Sequence, residues 1–166
     1  MDATLRLRTL AAASVVAVAI SACASPAAGS PSPAAGSASP SAAGAAGTVQ
    51  VTLQEWAVVP ASTSVSAGDV TFQVTNTGPA DIHEFVVLKT DLDAGALPTD
   101  ATGKVTEGGS GMEVIDEIED IAVGQSPELK VPLTAGKYVL LCNIYDETEK
   151  EAHYKMGMRI PFEVTN

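Results

Sequence analysis

Seven short apolar runs, most of them alternating with polar residues, recur along the chain from residue 48 onward. In the first run, Val49, Val51 and Leu53 alternate with glutamine and threonine, and the last run alternates from Met158 to Val164. A period of two is that of a strand with one buried face. Turn residues separate the runs, and no long amphipathic helix or internal repeat is present. The pattern predicts an all-β domain, an antiparallel sandwich or barrel of about seven to eight strands.

Three segments of this domain depart from simple alternation. Residues 82–88 are apolar at nearly every position, which predicts a strand covered on both faces. Residues 114–121 carry apolar side chains at 115, 118 and 121 among acidic ones, which predicts an irregular strand. Residues 89–111 show no sustained period, so we expect a long connection there, with a short helix near residues 91–97.

The N-terminal residues 1–22 have the features of an export signal. Arg6 and Arg8 precede an apolar stretch that is too short to span a bilayer. The segment ends in Ile20-Ser21-Ala22-Cys23, which resembles the bacterial lipobox, where the cysteine receives a diacylglyceryl group. We therefore expect a lipoprotein signal peptide with Cys23 as the lipid attachment site. A plain secretory cleavage site and an N-terminal core helix are the alternatives.

Residues 23–47 comprise this cysteine and a segment built almost wholly of Ala, Ser, Pro and Gly. Such a segment has little to bury, so we expect a disordered tether with a reach of roughly 25–30 Å. Removing residues 1–22 changes the net charge from -11 to -12, because two arginines and one aspartate are lost. This acidity excludes binding to nucleic acid or to anionic lipid headgroups. The lipid would then hold the domain, residues 48–166, at the outer face of the bacterial cytoplasmic membrane.

Few reactive side chains remain in the predicted domain. Cys142 is its only thiol, and His83 and His153 are its only histidines. His83 lies at the start of a predicted strand, and Cys142 lies at the end of a later, apolar one. His153 lies at the end of the polar loop that follows Cys142. Met158 is the first residue of the last strand and faces the core. These four side chains are predicted to converge at one end of the sandwich. One thiolate, two imidazoles and a weak thioether suit a mononuclear blue-copper site.

Each of these residues also has an ordinary structural interpretation. A histidine can be a hydrogen-bonded core residue, a cysteine a small buried hydrophobe, and a methionine simply part of the core. Met156 shares the strand parity of Met158 and is the alternative axial ligand. The acidic residues 146–151 are typical of a solvated loop. A carboxylate from that loop, with the thiolate and both imidazoles, would instead suit Zn²⁺.

Residues 48–166 resemble the cupredoxins, of the small plastocyanin-like and sulfocyanin-like kind. The pieces that carry the resemblance are Gly68-Asp69-Val70-Thr71-Phe72, Asn76-Thr77-Gly78, His83-Glu84-Phe85-Val86-Val87, Ala135-Gly136-Lys137-Tyr138, Cys142-Asn143-Ile144 and His153-Tyr154-Lys155-Met156-Gly157-Met158. The resemblance implies a Greek-key β-sandwich with one type 1 copper, held by His83, Cys142, His153 and Met158. The chain departs from it in one respect, since ten residues separate Cys142 from His153 where related proteins have only a few.

The resemblance implies a carrier of one electron through Cu(I)/Cu(II), and not an enzyme, and the expected lipid on Cys23 would make it a membrane-anchored one. We expect a monomer whose partner is a redox protein with a basic face, such as a cytochrome or a membrane oxidase. Copper storage, delivery or resistance at the cell surface is the first alternative. A metal-free β-sandwich that serves as a binding module is the second, and an enzyme of the Cys–His type is the weakest.

Overall fold

The computed structural model describes residues 47–166. The predicted signal peptide, Cys23 and nearly all of the tether therefore lie outside the described residues. Within the described part of the chain, no helix has the length and apolar character needed to cross a membrane.

The strands form two main sheets and a small hairpin. The first sheet has the order β2-β1-β4-β7 and comprises β1 (Thr48–Gln54), β2 (Ala57–Pro60), β4 (Gly68–Asn76) and β7 (Glu128–Leu133). The second has the order β3-β11-β8-β5-β6 and comprises β3 (Ser64–Ser66), β5 (His83–Thr90), β6 (Met112–Ile121), β8 (Gly136–Leu141) and β11 (Arg159–Thr165). Between β8 and β11 lie the hairpin strands β9 (Tyr145–Asp146) and β10 (Glu151–Ala152) and the one-turn helix α1 (His153–Met156).

The two main sheets share one hydrophobic core. Phe72 of β4 packs against Phe85 of β5 and Phe162 of β11, with ring centroids 5.2 and 5.7 Å apart, and all three rings are buried. A second cluster lies on the outer face of the second sheet, where the long connection and α1 cover it with Leu97, Val105 and other side chains. This cover explains why β5 is apolar at nearly every position, as predicted.

The predicted β-sandwich is confirmed, and its longest strands coincide with the seven runs of the sequence. The four additional strands have only two to four residues each. The pairing is not wholly antiparallel, because β1 lies parallel to β4 and β3 parallel to β11. Between β1 and β4 the chain reverses twice, once into β2 and again through β3 in the other sheet, so β4 runs in the same direction as β1. The expected irregularity of β6 appears as register shifts in its pairing with β5.

The prediction of a short helix near residues 91–97 is wrong. The segment forms turns, in which Asp93 accepts the N–H of Gly95 through its side chain and that of Ala96 through its carbonyl, at 2.8 and 2.9 Å. An aspartate that bonds to nearby backbone N–H groups competes with helix formation. The buried Tyr154 hydroxyl also accepts the N–H of Leu97 and donates to the carbonyl of Ala94, which fixes the segment against the sheet.

Candidate metal centre

Four sequence elements bring the predicted ligands to one end of the sandwich. His83 is the first residue of β5, and Cys142 directly follows β8, the neighbour of β5 in the second sheet. His153 begins α1, and Met158 lies just before β11, which pairs with β8 on its other side. The N–H of Cys142 donates to the carbonyl of Met158 at 3.0 Å, and the N–H of Met158 donates to that of His153 at 3.1 Å. All four residues are at most 1% exposed.

The donor atoms are spaced as one metal ion requires. The Nδ1 atoms of His83 and His153 are 3.3 Å apart, and the Sγ of Cys142 is 3.4 Å from the Nδ1 of His153. A first-row metal ion about 2.0 Å from two nitrogens and about 2.3 Å from a sulfur, in a trigonal arrangement, separates these donors by about 3.5 to 3.7 Å. The observed separations match these values to within about 0.3 Å, so the residues fit such an ion with little movement.

Burial sets the protonation of the three donors. It lowers the pKa of His83, with a further contribution from His153, and it also lowers the pKa of His153. Both imidazoles are therefore neutral at pH 7 and can each offer a nitrogen lone pair. Burial also raises the pKa of the Cys142 thiol to about 12, so the metal-free protein holds a protonated thiol. A bound metal would have to displace that proton.

A hydrogen-bonded frame surrounds Cys142. The N–H of Glu84 donates to its sulfur at 3.3 Å, and a Glu84 carboxylate oxygen accepts the N–H of Asn143 at 3.1 Å. Burial, together with the charges of nearby glutamates, raises the pKa of Glu84 to about 7. The Asn143 amide accepts the N–H of Val105 at 2.6 Å and donates to its carbonyl at 3.1 Å. The segment that carries the thiol is thus joined to β5 and to the long connection.

The long segment between Cys142 and His153 is folded into the hairpin of β9 and β10. Asp146 accepts the N–H groups of Thr148 and Glu149 at 2.6 and 2.9 Å, and these bonds lower its pKa. The N–H of His153 then donates to the carbonyl of Ile144 at 2.9 Å, which returns the histidine to the neighbourhood of the thiol. The ten intervening residues therefore leave the donor set intact.

Burial favours Met158 over Met156 as the axial ligand. Met156 is 41% exposed, whereas Met158 lies in the core beside Cys142. Gly157, between them, adopts a φ of 130°, which favours glycine and lets the chain leave α1 for β11. A Cβ at Gly157 would lie 3.0 Å from the carbonyl oxygen of Trp56, so the glycine also permits this close approach.

The structure adds residues that sequence reasoning missed. The Trp56 ring meets the His153 imidazole edge to face, with centroids 5.1 Å apart, and Glu84 and Asn143 frame the thiol. Glu84 directly follows His83 and Asn143 directly follows Cys142, so their position next to a predicted ligand could have indicated their role. Trp56 and its neighbour Glu55 lie in the turn between β1 and β2, where no periodicity or spacing relates them to the site.

No family model and no curated protein matches the sequence. Several solved structures are similar to it. One is the dithionite-reduced auracyanin of the photosynthetic bacterium Roseiflexus castenholzii, with 23% identity over 74% of this chain and 100% of that one, at a TM-score of 0.53. The chain has the cupredoxin fold. Auracyanin B is also similar, with 21% identity over 73% of this chain and 90% of that one, at a TM-score of 0.49. Reduced rusticyanin has 17% identity over 73% of this chain and 81% of that one, at a TM-score of 0.47. Within this cupredoxin fold, the buried group of His83, Cys142, His153 and Met158 supports one type 1 copper site.

Proposed function

We propose that the protein is a one-electron carrier, with His83, Cys142 and His153 as strong copper ligands and Met158 as the weak axial one. The observation that carries this proposal is the convergence of one buried thiol and two neutral imidazoles beside a buried methionine. Bound copper would supply a reversible Cu(I)/Cu(II) couple. The protein's residues exclude water from the donors and hold them in a packed frame, which keeps their rearrangement small when the oxidation state changes.

The same burial disfavours the alternative functions. A copper-delivery protein has to expose ligands for exchange, but all four residues of this group are at most 1% exposed. A thiol with a pKa of about 12 is almost wholly protonated at neutral pH, which is unsuited to a cysteine nucleophile. A metal-free binding module would have no use for three metal-binding donors within 4.8 Å of one another.

The surface next to His153 is suited to a basic redox partner. A shallow depression there is lined by residues with apolar or acidic side chains and by the histidine itself: Ala80, Asp81, Ile82, Asp120, Ile144, Tyr145, Asp146, Glu147 and His153. Ile82 is 50% exposed at this place. Lys150 pairs with Glu147 at 2.9 Å and offsets part of the negative charge. Exposed apolar area beside several carboxylates favours a partner with a basic face, and electrostatic attraction would steer their encounter.

Electron transfer to a basic cytochrome c tests this proposal. We expect rapid reduction of the cytochrome by the Cu(I) protein in stopped-flow mixing, and a rate constant that falls by about tenfold or more between low and high salt. Asp120→Asn should weaken the salt dependence, whereas Glu163→Gln, an exposed charge change near the far end of β11, should weaken it less. Slow transfer together with ready loss of Cu(I) to a chelator would contradict the carrier function and support copper delivery.

We also propose that Cys23 carries a lipid that anchors the protein to the outer face of the bacterial cytoplasmic membrane. The support is the sequence Ile20-Ser21-Ala22-Cys23 that follows an apolar signal-like stretch. Metabolic labelling with a fatty-acid analogue should mark the wild-type chain and leave Cys23→Ala unmarked. Cys142→Ala, which removes the other cysteine, is the matched control and should remain labelled. Equal labelling of the Cys23 variant and the wild type would rule out this anchor.

A further inference from the structure

Glu55 connects the turn between β1 and β2 to the segment that leads into His83. One carboxylate oxygen, Oε1, accepts the N–H of Ala80 at 2.9 Å and that of Asp81 at 2.7 Å. These bonds cross from the first sheet to the start of β5 in the second. Because His83 lies only two residues beyond Asp81, the carboxylate restrains the backbone that carries this proposed ligand.

Two polar atoms near this contact are buried and have no hydrogen-bond partner among the described residues: the second carboxylate oxygen of Glu55, Oε2, and the Nε2 of His83. The other ring nitrogen of His83, Nδ1, is turned toward His153. When Nδ1 binds a metal, Nε2 must carry the proton of the neutral ring and needs an acceptor. A metal-bound histidine commonly donates this proton to a carboxylate or a carbonyl.

We propose that Glu55 is a positioning residue for copper binding, whose Oε1 holds the Ala80–Asp81 backbone while its Oε2 accepts the Nε2–H of His83 in the copper-loaded protein. This inference rests on the proposed copper site. It accounts for both unpartnered atoms with one hydrogen bond. That bond fixes the tautomer and orientation of the His83 ring, and it makes the imidazole a stronger electron donor to the metal.

Electrostatics supports the pairing. The charge of Glu55 acts on His83, where it opposes the effect of burial and raises the pKa of the imidazole. Partial burial by itself raises the pKa of Glu55, but the hydrogen bonds that its carboxylate accepts from backbone N–H groups, those of Asp81 and Ala80 above all, outweigh it, and the pKa is lowered overall. The carboxylate is therefore ionised at neutral pH and is available as an acceptor.

The variant Glu55→Gln separates this role from a general effect of charge. A glutamine can still offer one oxygen to the backbone, but the group beside it is then an NH₂ donor that cannot accept the Nε2–H. Asp81→Asn is the matched control, because it also removes one negative charge that acts on both histidines and leaves the backbone N–H of residue 81 in place. Circular dichroism of both variants checks the fold.

We expect Glu55→Gln to weaken Cu(II) binding by about 10- to 100-fold, measured by chelator competition on the full chain, and to raise the reduction potential. Asp81→Asn should change the Cu(II) affinity and the reduction potential less than Glu55→Gln does. NMR of the diamagnetic Cu(I) protein gives a readout that a merely structural role would not move. The His83 Nε2 proton should exchange slowly with solvent in the wild type and in Asp81→Asn, and rapidly in Glu55→Gln.

Equal proton exchange and equal copper affinity in Glu55→Gln and Asp81→Asn would overturn the inference. If Glu55→Gln does not fold, the wild-type spectrum decides by itself, since exchange of the His83 proton at the rate of a free imidazole is incompatible with the proposed bond. Failure of the copper site has a different signature. In that case the wild-type chain binds no copper in a coloured one-to-one complex, and both proposals fall.

Discussion

Cys142→Ser is expected to abolish the intense visible absorption of the copper-loaded protein completely. That band arises from charge transfer between a thiolate and Cu(II), and a serine hydroxyl is too weakly acidic and too hard a donor to replace the thiolate. The visible and electron paramagnetic resonance spectra of the oxidised protein give the measurement. The copper that still binds should show the spectrum of an ordinary Cu(II) complex with imidazole and oxygen ligands.

Serine at this position should leave the fold in place. Its hydroxyl can still accept the N–H of Glu84, so the loss is limited to about 1–3 kcal/mol for a polar group in a largely apolar setting. Met158→Leu is the companion variant, and it should retain the colour and raise the reduction potential, since a weak axial donor mainly tunes the metal. A Cys142→Ser protein that keeps the visible band would show that this thiol is not a copper ligand.

The strand pattern of the sequence predicts the sandwich because burial on one face imposes a period of two over five or more residues. Strands β2, β3, β9 and β10 are too short to show this period, and they were missed for this reason. Strand direction leaves no trace in periodicity either, so the parallel pairing of β1 with β4 could not be predicted. The helix expected near residues 91–97 failed because local aspartate hydrogen bonds decided that segment.

The donor set could be predicted because its residue types are rare in this chain. With one thiol and two histidines in the domain, their order along the strands already indicated a common site. The frame of the site could not be predicted, because it depends on contacts between distant segments. Glu55 reaches the Ala80–Asp81 backbone, just before His83, only through the packing of the β1–β2 turn against this segment, and no spacing rule relates it to the site.

Copper affinity is expected to rise by about tenfold for each pH unit between about pH 7 and 9. Below its pKa of about 12, the Cys142 thiol is protonated in the metal-free protein, so each copper ion that binds releases one proton. The imidazoles add no further proton, because burial lowers the pKa of His83 and of His153 and both are already neutral in this range. The affinity should therefore change by about 100-fold over two pH units.

Copper affinity increases with pH because the proton and the metal compete for the same sulfur. A higher pH removes the competitor, so affinity increases as pH rises and keeps increasing until the thiol ionises by itself. Titration against a chelator of known proton affinity at several pH values measures the slope. Cys142→Ser is the control, and its residual affinity should be almost independent of pH, since only neutral imidazoles remain. A flat profile in the wild type would mean that the thiol is already ionised without metal, and a slope near two would mean that one histidine is protonated as well.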